Sequence, residues 1–181
     1  MILQTERLVL DTWQVSDWTA LRPIATDTEV MHYITGGVPW TEDKIQSFVK
    51  GEIARYSEHG FCRWKMLEKS SGEMIGFCGV GFWRDAPDPE IGWWLARRCW
   101  GRGLATEAAR SALRDVFERL SIERVISIAR PANIASTRIM QKLGLEFECE
   151  FENDGLRLVR YATDRQTYFS SRGREATRLG R

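Results

Sequence analysis

Apolar positions along the chain follow two different periods, and each period predicts one kind of secondary structure. Apolar residues spaced three or four apart predict four helices, at residues 17–27, 41–60, 104–120 and 133–143. Short apolar runs, some of them alternating with polar residues, predict seven strands, at residues 7–13, 61–67, 74–83, 90–95, 124–129, 145–151 and 157–161. The elements therefore follow the order β-α-α-β-β-β-α-β-α-β-β.

This order predicts an α/β fold with one mixed sheet and helices on both of its faces. Residues 69–73 contain the glycine and serines that suit a hairpin turn, so the strands on either side are expected to pair antiparallel. The strand, helix and strand between residues 90 and 129 require one parallel pair. The sheet is therefore expected to be mostly antiparallel.

Composition narrows the class of protein that this order describes. With 181 residues, 43% of them apolar and 28% charged, the chain fits one globular domain with a full core. Its 26 basic and 25 acidic side chains create no overall field that would attract nucleic acid or an anionic membrane. Any anion site must therefore be local, and its ligand is expected to be small.

The cysteines predict neither a metal centre nor a disulfide framework. Cys62, Cys78, Cys99 and Cys149 form no Cys-x-x-Cys pair, so we expect reduced thiols and no bound metal. The chain starts without a basic and then apolar leader, and no apolar run approaches the roughly 20 residues that span a bilayer. We therefore expect a cytoplasmic protein that does not bind membranes.

The junction between the strand at 90–95 and the helix at 104–120 carries the clearest chemistry. It reads Arg98-Cys99-Trp100-Gly101-Arg102-Gly103 and so brings two glycines and two arginines to the start of a helix. First-turn N–H groups and the helix dipole attract a pyrophosphate, and glycines let the backbone approach it. The spacing differs from that of a P-loop and from a Rossmann fingerprint.

The junction matches the pattern Arg/Gln-x-x-Gly-x-Gly/Ala and so resembles the pyrophosphate loop of the GNAT superfamily of acyl-CoA-dependent N-acetyltransferases. Residues 130–145 resemble the Asn-x-x-Ser segment of the same superfamily, with Asn133 at its start. The element order is also similar to the GNAT fold, with the parallel pair at the acetyl-CoA site. Four further stretches resemble the RimJ/RimL-like branch, which acetylates ribosomal-protein N-termini: residues 5–10, 27–31, 90–95 and 106–108.

The resemblance implies acetyl-CoA as co-substrate and a set of residues that bind it. These are Trp94, Leu95, Arg98, Gly101, Arg102, Gly103, Leu104, Ala105, Thr106, Asn133, Ser136 and Arg138. In the family the asparagine reaches the pantetheine arm, and an amide side chain suits that task. Because Asn133 lies where a strand ends and a helix begins, it is also a candidate helix cap.

The same resemblance implies the groups that carry the chemistry. Glu90 is the candidate general base, although it is also explained as a charge at the strand edge. Many superfamily members place an acidic tyrosine seven residues after the asparagine, where this chain has Met140. Ser136 is then the candidate that positions or protonates the leaving thiol, with helix capping as the alternative. Backbone N–H groups near Trp94 and Leu95 are expected to stabilise the oxyanion.

The acceptor is the part that the sequence leaves open. The implied reaction moves acetyl directly to a primary amine in a ternary complex, and both a protein N-terminal α-amine and a small-molecule amine fit. Trp40, Trp83 and Asp85 are the candidate acceptor-binding residues, since aromatic and acidic groups hold cationic amines. Ordinary packing is the alternative for the tryptophans.

We divide the chain into a domain at residues 1–163 and an arginine-containing tail at 164–181. The tail is expected to be a solvated segment, with a contact to ribosomal RNA as the alternative. Two other functions stay open: an acyl-CoA-binding module without catalysis, motivated by Met140, and a ribosome-associated factor. A homodimer is compatible with the family resemblance.

Overall fold

A computed structural model describes residues 2–83 and 86–170 of the chain. The strands of the described residues are β1 Leu3–Gln4, β2 Leu8–Asp11, β3 Arg63–Glu68, β4 Met74–Gly81, β5 Glu90–Leu95, β6 Arg124–Ala129, β7 Glu146–Asn153 and β8 Leu156–Asp164. The main helices are α1 Trp18–Ala25, α2 Thr28–Thr35, α3 Glu42–His59, α4 Leu104–Glu118 and α5 Ile134–Lys142. The strands form one sheet in the order β1-β2-β3-β4-β5-β6-β8-β7.

The mixed α/β architecture predicted from the sequence is confirmed. Strands β5 and β6 have the predicted bounds, and the turn at residues 69–73 before β4 makes the expected antiparallel hairpin. All seven predicted strands and all four predicted helices are present, with most ends displaced by a few residues. The described sheet is antiparallel except between β5 and β6.

Two elements were missed, and one predicted helix is shorter than expected. The helix predicted at 17–27 ends at Ala25, because the Asp27 side chain accepts hydrogen bonds from the backbone N–H groups of Glu29 and Val30 and so caps the next helix. That helix, α2, spans eight residues and stops at Gly36, which has a φ of 75°. Strand β1 has two residues, too few for a periodic pattern.

The parallel strands β5 and β6 touch at one end and then separate. Their register pairs Glu90 with Ile126, and the backbone N–H of Ile126 donates to Pro89. One step further, the Ser127 hydroxyl donates to the Ile91 carbonyl at 2.9 Å and takes the place of a backbone bond. Beyond this point, the C-terminal ends of β5 and β6 separate and a cleft lies between them.

Helix α4 closes the back of this region with a stripe of small side chains. Ala105, Ala108, Ala109 and Ala112 are buried on the face that packs against β4 and β5. Small side chains let the helix backbone approach the sheet closely, as its sequence pattern predicts. The first turn of α4 is thereby held beside the end of β5.

The packed part of the chain extends beyond the predicted boundary at Thr163. Strand β8 runs to Asp164, and residues 165–170 are helical. Tyr168 is 9% exposed and its ring lies 4.9 Å from that of Phe117, while Arg165 Nε donates to the Phe117 carbonyl at 3.0 Å. Residues 164–170 therefore pack on the domain, a contact that the division at Thr163 did not include. Residues 171–181 of the predicted tail lie outside the described residues.

A hydrogen-bonded clasp joins the start of the chain to α4. Glu107 accepts from the Thr5 hydroxyl at 2.5 Å, from the Arg7 backbone N–H at 2.9 Å and from Arg7 Nε at 2.7 Å. Arg7 also donates to the Arg102 carbonyl at 2.9 Å. Burial alone would raise the pKa of Glu107, but the bonds from Thr5 and Arg7 outweigh it and lower the pKa.

Replacing the clasp carboxylate is expected to destabilise the fold in a pH-dependent way. Glu107→Gln should lower the free energy of unfolding by about 1–2 kcal/mol at neutral pH, because charged acceptors make stronger hydrogen bonds than neutral ones. Since the folded-state pKa is depressed, the contribution is complete above the ordinary value of 4.5 and is lost as the pH falls through the folded value. Urea denaturation at several pH values measures both effects.

Glu6→Gln is the matched control, because Glu6 is an exposed carboxylate beside the clasp. We expect it to unfold like the wild type at every pH. A Glu107→Gln protein as stable as this control at pH 7 would contradict a stabilising role for the clasp.

Candidate functional site

The gap between β5 and β6 opens into a cavity of about 520 Å³, which we call the splay cavity. Its walls come from the C-terminal ends of both strands and from the first turns of α4 and α5. The sequence-predicted residues on its lining are Glu90, Trp94, Leu95, Gly101, Gly103, Leu104, Ala105, Thr106, Asn133, Ser136 and Arg138. The structure therefore gathers most of the predicted site in one place.

The glycine loop forms the end of the splay cavity next to α4. Gly101 and Gly103 have φ values of 72° and 77°, a left-handed conformation that favours glycine. Gly103 is the N-cap of α4, and no side chain caps this helix. The first-turn N–H groups therefore remain available to an anion, which is the arrangement that the sequence motif predicts.

The side chains of Arg98 and Arg102 are not on the cavity lining. Arg98 donates to Glu73 at 2.8 Å, and Arg102 donates to Glu68. Both partners belong to the end of the β3–β4 hairpin, outside the cavity. Exposed ion pairs of this kind contribute about 0–1 kcal/mol. The structure thus brings the loop backbone to the cavity but leaves its two arginine side chains at the hairpin.

Arg7 is a loop contact that the sequence reasoning did not assign. Through its bond to the Arg102 carbonyl it fixes the loop from the N-terminal side, and its guanidinium lies 3.6 Å from where a Cβ on Gly103 would be. The sequence did contain a signal for this contact, because residues 5–10 were part of the family resemblance. No function had been assigned to them.

Asn133 and Ser136 lie together at the start of α5. The Asn133 side-chain oxygen accepts from the Ser136 backbone N–H at 3.1 Å and so caps the helix, as one of the two interpretations predicts. Its amide nitrogen and the Ser136 hydroxyl are the polar groups left to face a ligand. Met140 is 1% exposed and lines the same cavity. Its thioether therefore occupies the position at which the family resemblance implies a tyrosine hydroxyl.

The open edge of β5 offers backbone groups to the splay cavity. Ala96 donates its N–H to Ile75 of the neighbouring hairpin at 2.8 Å, which fixes the alternation along the strand. Because successive residues turn their backbone groups to opposite sides, Trp94 faces β4, whereas Trp93 and Leu95 face the cleft. The Leu95 N–H is therefore the better candidate oxyanion donor, and the Trp94 N–H is not.

A second cavity of about 430 Å³, here the aromatic cavity, adjoins the first. Trp40 and Trp83 line it, as predicted for an acceptor site, whereas Asp85 lies outside the described residues. Tyr33 from α2 lines both cavities; it was missed because its helix was missed. Glu90 lines both as well, so it stands at their junction.

Glu90 is held by a buried chain of charges. Arg63 donates to Glu90 at 2.7 Å and to Glu52 at 3.2 Å, and the Arg63 backbone N–H donates to Glu52 at 2.8 Å. Glu52 is 2% exposed, and it also pairs with Arg55. Burial raises the pKa of Glu90, and Arg63 opposes that rise. Burial alone would lower the pKa of Arg63, but the two carboxylates raise it, so this guanidinium stays charged.

Glycine at position 81 makes room for this bridge. Gly81 pairs with Glu90 across β4 and β5, and a Cβ on Gly81 would lie 2.2 Å from a terminal nitrogen of Arg63. The guanidinium can cross the sheet between Glu52 and Glu90 only because that Cβ is missing.

Gly81→Ala is expected to displace the Arg63 guanidinium and destabilise the fold. The loss should be on the order of 1.5–3 kcal/mol, the contribution of a hydrogen bond to a charged group. Gly51→Ala is the control, because Gly51 lies within α3 with no atom near its Cβ position, and it should gain about 0.5–1 kcal/mol. Equal unfolding midpoints in urea for wild type and Gly81→Ala would contradict the bridge.

Among the described residues, no group of three or more histidine, cysteine, aspartate or glutamate side chains could hold a metal ion. None of the helices in the described part is long and apolar enough to cross a bilayer.

Comparison with known proteins identifies the architecture. The family model for the acetyltransferase (GNAT) domain matches residues 7–146. The chain is 29% identical over 152 residues to the uncharacterized N-acetyltransferase YnaD of Bacillus subtilis, covering 84% of this chain and 86% of the relative.

Two solved structures share the fold. A GNAT-family acetyltransferase from Bacillus anthracis superposes with a TM-score of 0.78 at 25% identity, covering 92% of this chain and 99% of that one. RimL, a ribosomal alpha-N-protein acetyltransferase solved in complex with coenzyme A, gives a TM-score of 0.76 at 18% identity, covering 91% and 98%.

Proposed function

Since the chain belongs to the GNAT acetyltransferase family, we propose that it moves the acetyl group of acetyl-CoA directly to a primary amine. The observation that carries the proposal is the splay between β5 and β6. It supplies one continuous cleft with an uncapped, glycine-led helix start at one end and a buried carboxylate at the other. A ternary complex needs both features, one for the co-substrate and one for the amine.

The residues of the splay cavity fit the chemical parts of acetyl-CoA. The N–H groups from Gly101 to Thr106 suit the pyrophosphate. The cleft-facing backbone of Trp93 and the amide of Asn133 suit the amide groups of the pantetheine arm, because the Leu95 carbonyl already accepts from the Trp100 indole N–H at 2.9 Å. Arg138, exposed on the lining, supplies a positive charge for a phosphate. The RimL structure with coenzyme A supports this assignment by its fold alone.

Glu90 receives the proton that leaves the acceptor ammonium, directly or through water. The amine nitrogen then bonds to the acetyl carbon, the bond from that carbon to sulfur breaks, and the second proton that the nitrogen must lose leaves through solvent. The Leu95 N–H stabilises the charge that develops on the acetyl oxygen. Arg63 is a positioning residue, because it holds the Glu90 carboxylate at the junction of the two cavities.

The leaving sulfur departs without a strong acid from the chain. Met140 has no proton to give, and the Ser136 hydroxyl is a hydrogen-bond donor rather than an acid. A thiol with a pKa of roughly 8.5 is a tolerable leaving group, and its thiolate can take a proton from solvent. Met140 also favours a second candidate function, an acyl-CoA-binding module without catalysis.

Incubation with acetyl-CoA and a mixed panel of amines tests the proposal. The panel contains peptides, amino acids, polyamines and aminoglycosides, and the readouts are thiol release and the mass of each acceptor. Calorimetry with coenzyme A measures binding separately. Acetylation of any panel member supports the enzyme, whereas tight binding without thiol release supports the module.

Glu90→Gln should lower kcat/KM at least about 100-fold, because general-base catalysis contributes on the order of 10²–10⁴. Affinity for coenzyme A should change little, since the amide keeps the shape of the side chain. Glu150→Gln is the control, because Glu150 is an exposed carboxylate paired with Arg157 on the outer strands. A Glu90→Gln enzyme within threefold of this control would exclude Glu90 as the base.

Glu52, Arg63 and Glu90 form one buried ionic bridge, and replacing Arg63 or Glu52 is expected to shift the pH profile of kcat/KM in opposite directions. Glu90 works deprotonated, so kcat/KM should fall as the pH drops through the pKa of Glu90, which burial raises above the ordinary 4.5. Arg63→Gln removes the charge that opposes this rise and should move the acid limb to higher pH. Glu52→Gln removes a carboxylate that raises the pKa of Glu90 and should move the limb down.

Circular dichroism confirms that each variant is folded, and Gly81→Ala offers a milder way to displace Arg63. Shifts in the same direction for Arg63→Gln and Glu52→Gln would indicate a merely structural role for the bridge. Protonation of the acceptor affects all variants equally, so it cancels in the comparison.

A further inference from the structure

Seven of the residues that line the aromatic cavity have aromatic rings. The aromatic residues that line it are Tyr33, Trp40, Phe48, Phe77, Trp83, Trp93 and Trp94. Trp94 lies 4.6 Å from Trp40 and 4.9 Å from Phe77 between ring centroids, so the rings pack against one another. A pre-packed apolar cavity of this size suits a flat, apolar body of a small molecule.

The charge of the cavity does not suit a polycation. Glu90 is the carboxylate on its described lining, and Arg63 already holds it at 2.7 Å. Asp88, close by in sequence, is paired with Arg124. A polyamine or an aminoglycoside brings several positive charges, and the described lining has no acidic cluster to receive them.

Two hydrogen-bond donors on the lining lack acceptors. The indole N–H of Trp40 is buried and has no hydrogen-bond partner among the described residues. Arg130, which is half-buried, lines both cavities, and no carboxylate in the described part of the chain pairs with its guanidinium. The buried Trp40 donor carries a free-energy cost that a ligand oxygen would remove, and the unpaired guanidinium can bind an anionic group.

The positions of Glu90 and Arg130 separate two sites for charge. Glu90 lies level with Ile126, and Arg130 follows four residues later, so their backbones stand about 13 Å apart along the strands. Both side chains line the same cavity between these points. A ligand there meets a proton acceptor on one side and a cation on the other.

We propose that the preferred acceptor is a free aromatic amino acid, its ring among the tryptophans, its amine towards Glu90 and its carboxylate on Arg130. This inference rests on the acetyltransferase function proposed above. The ammonium loses two protons, one to Glu90 and one to solvent, and gains the acetyl group, while the carboxylate stays unchanged and anchors the molecule. A bidentate Arg–carboxylate contact fixes orientation as well as affinity.

Initial rates of thiol release with matched acceptors test the proposal. The acceptors are L-tryptophan and L-phenylalanine, their amides, tryptamine, a peptide with an N-terminal phenylalanine, spermidine and kanamycin. We expect kcat/KM for each free acid to exceed that for its amide at least tenfold. Arg130→Gln should reduce this ratio to near one and leave the KM for acetyl-CoA unchanged.

Arg157→Gln is the matched control, because Arg157 is an exposed arginine on β8, outside the aromatic cavity. It should keep the wild-type ratio of acid to amide. Preference for the peptide, spermidine or kanamycin would overturn the inference and leave the acetyltransferase intact. Equal rates for acid and amide, or an Arg130→Gln effect confined to the KM for acetyl-CoA, would overturn the role of Arg130. If no acceptor raised thiol release above the rate measured without acceptor, the proposed function itself would be overturned.

Discussion

The separation of two parallel strands is the constraint on which the other features of the site depend. A parallel pair is normally held by a continuous ladder of backbone bonds. Here the ladder stops after Glu90 and Ile126, and the Ser127 hydroxyl replaces the next bond. The backbone edge that is left open provides donors without any special side chain. It also creates the space that the glycine loop and the start of α5 enclose.

The second constraint is that the buried Glu90 carboxylate has to be held at the junction of the two cavities without being left unpaired. An isolated buried carboxylate is costly and becomes protonated more easily. Arg63 compensates Glu90, and Glu52 compensates Arg63, so the charge remains paired from α3 to β5. The cost is a side chain that crosses the sheet, which requires glycine at position 81. The result is a reactive group inside an otherwise aromatic space.

Sequence reasoning recovered the frame of the fold because its long elements have clear periods. It also located the glycine loop, because the left-handed backbone before α4 requires glycine, and Gly101 and Gly103 are visible in the sequence. It missed α2, whose signal was the capping residue Asp27 rather than a long apolar stripe. Contacts between residues distant in sequence could not be predicted. The Arg63 bridge joins residues from three elements. The pairing of Arg98 and Arg102 with the hairpin depends on side-chain geometry.

The clasp between Thr5, Arg7 and Glu107 links residues about 100 positions apart in the chain. Contacts of such long range form late, since the entropy of closing the loop must be overcome first. During synthesis, Thr5 and Arg7 therefore meet Glu107 only after more than half of the chain has been made. Only then can the bond from Arg7 to the Arg102 carbonyl join the contacts that Arg98 and Arg102 make with the hairpin. A chain that ends before α4 would thus lack one of the contacts that order the anion site.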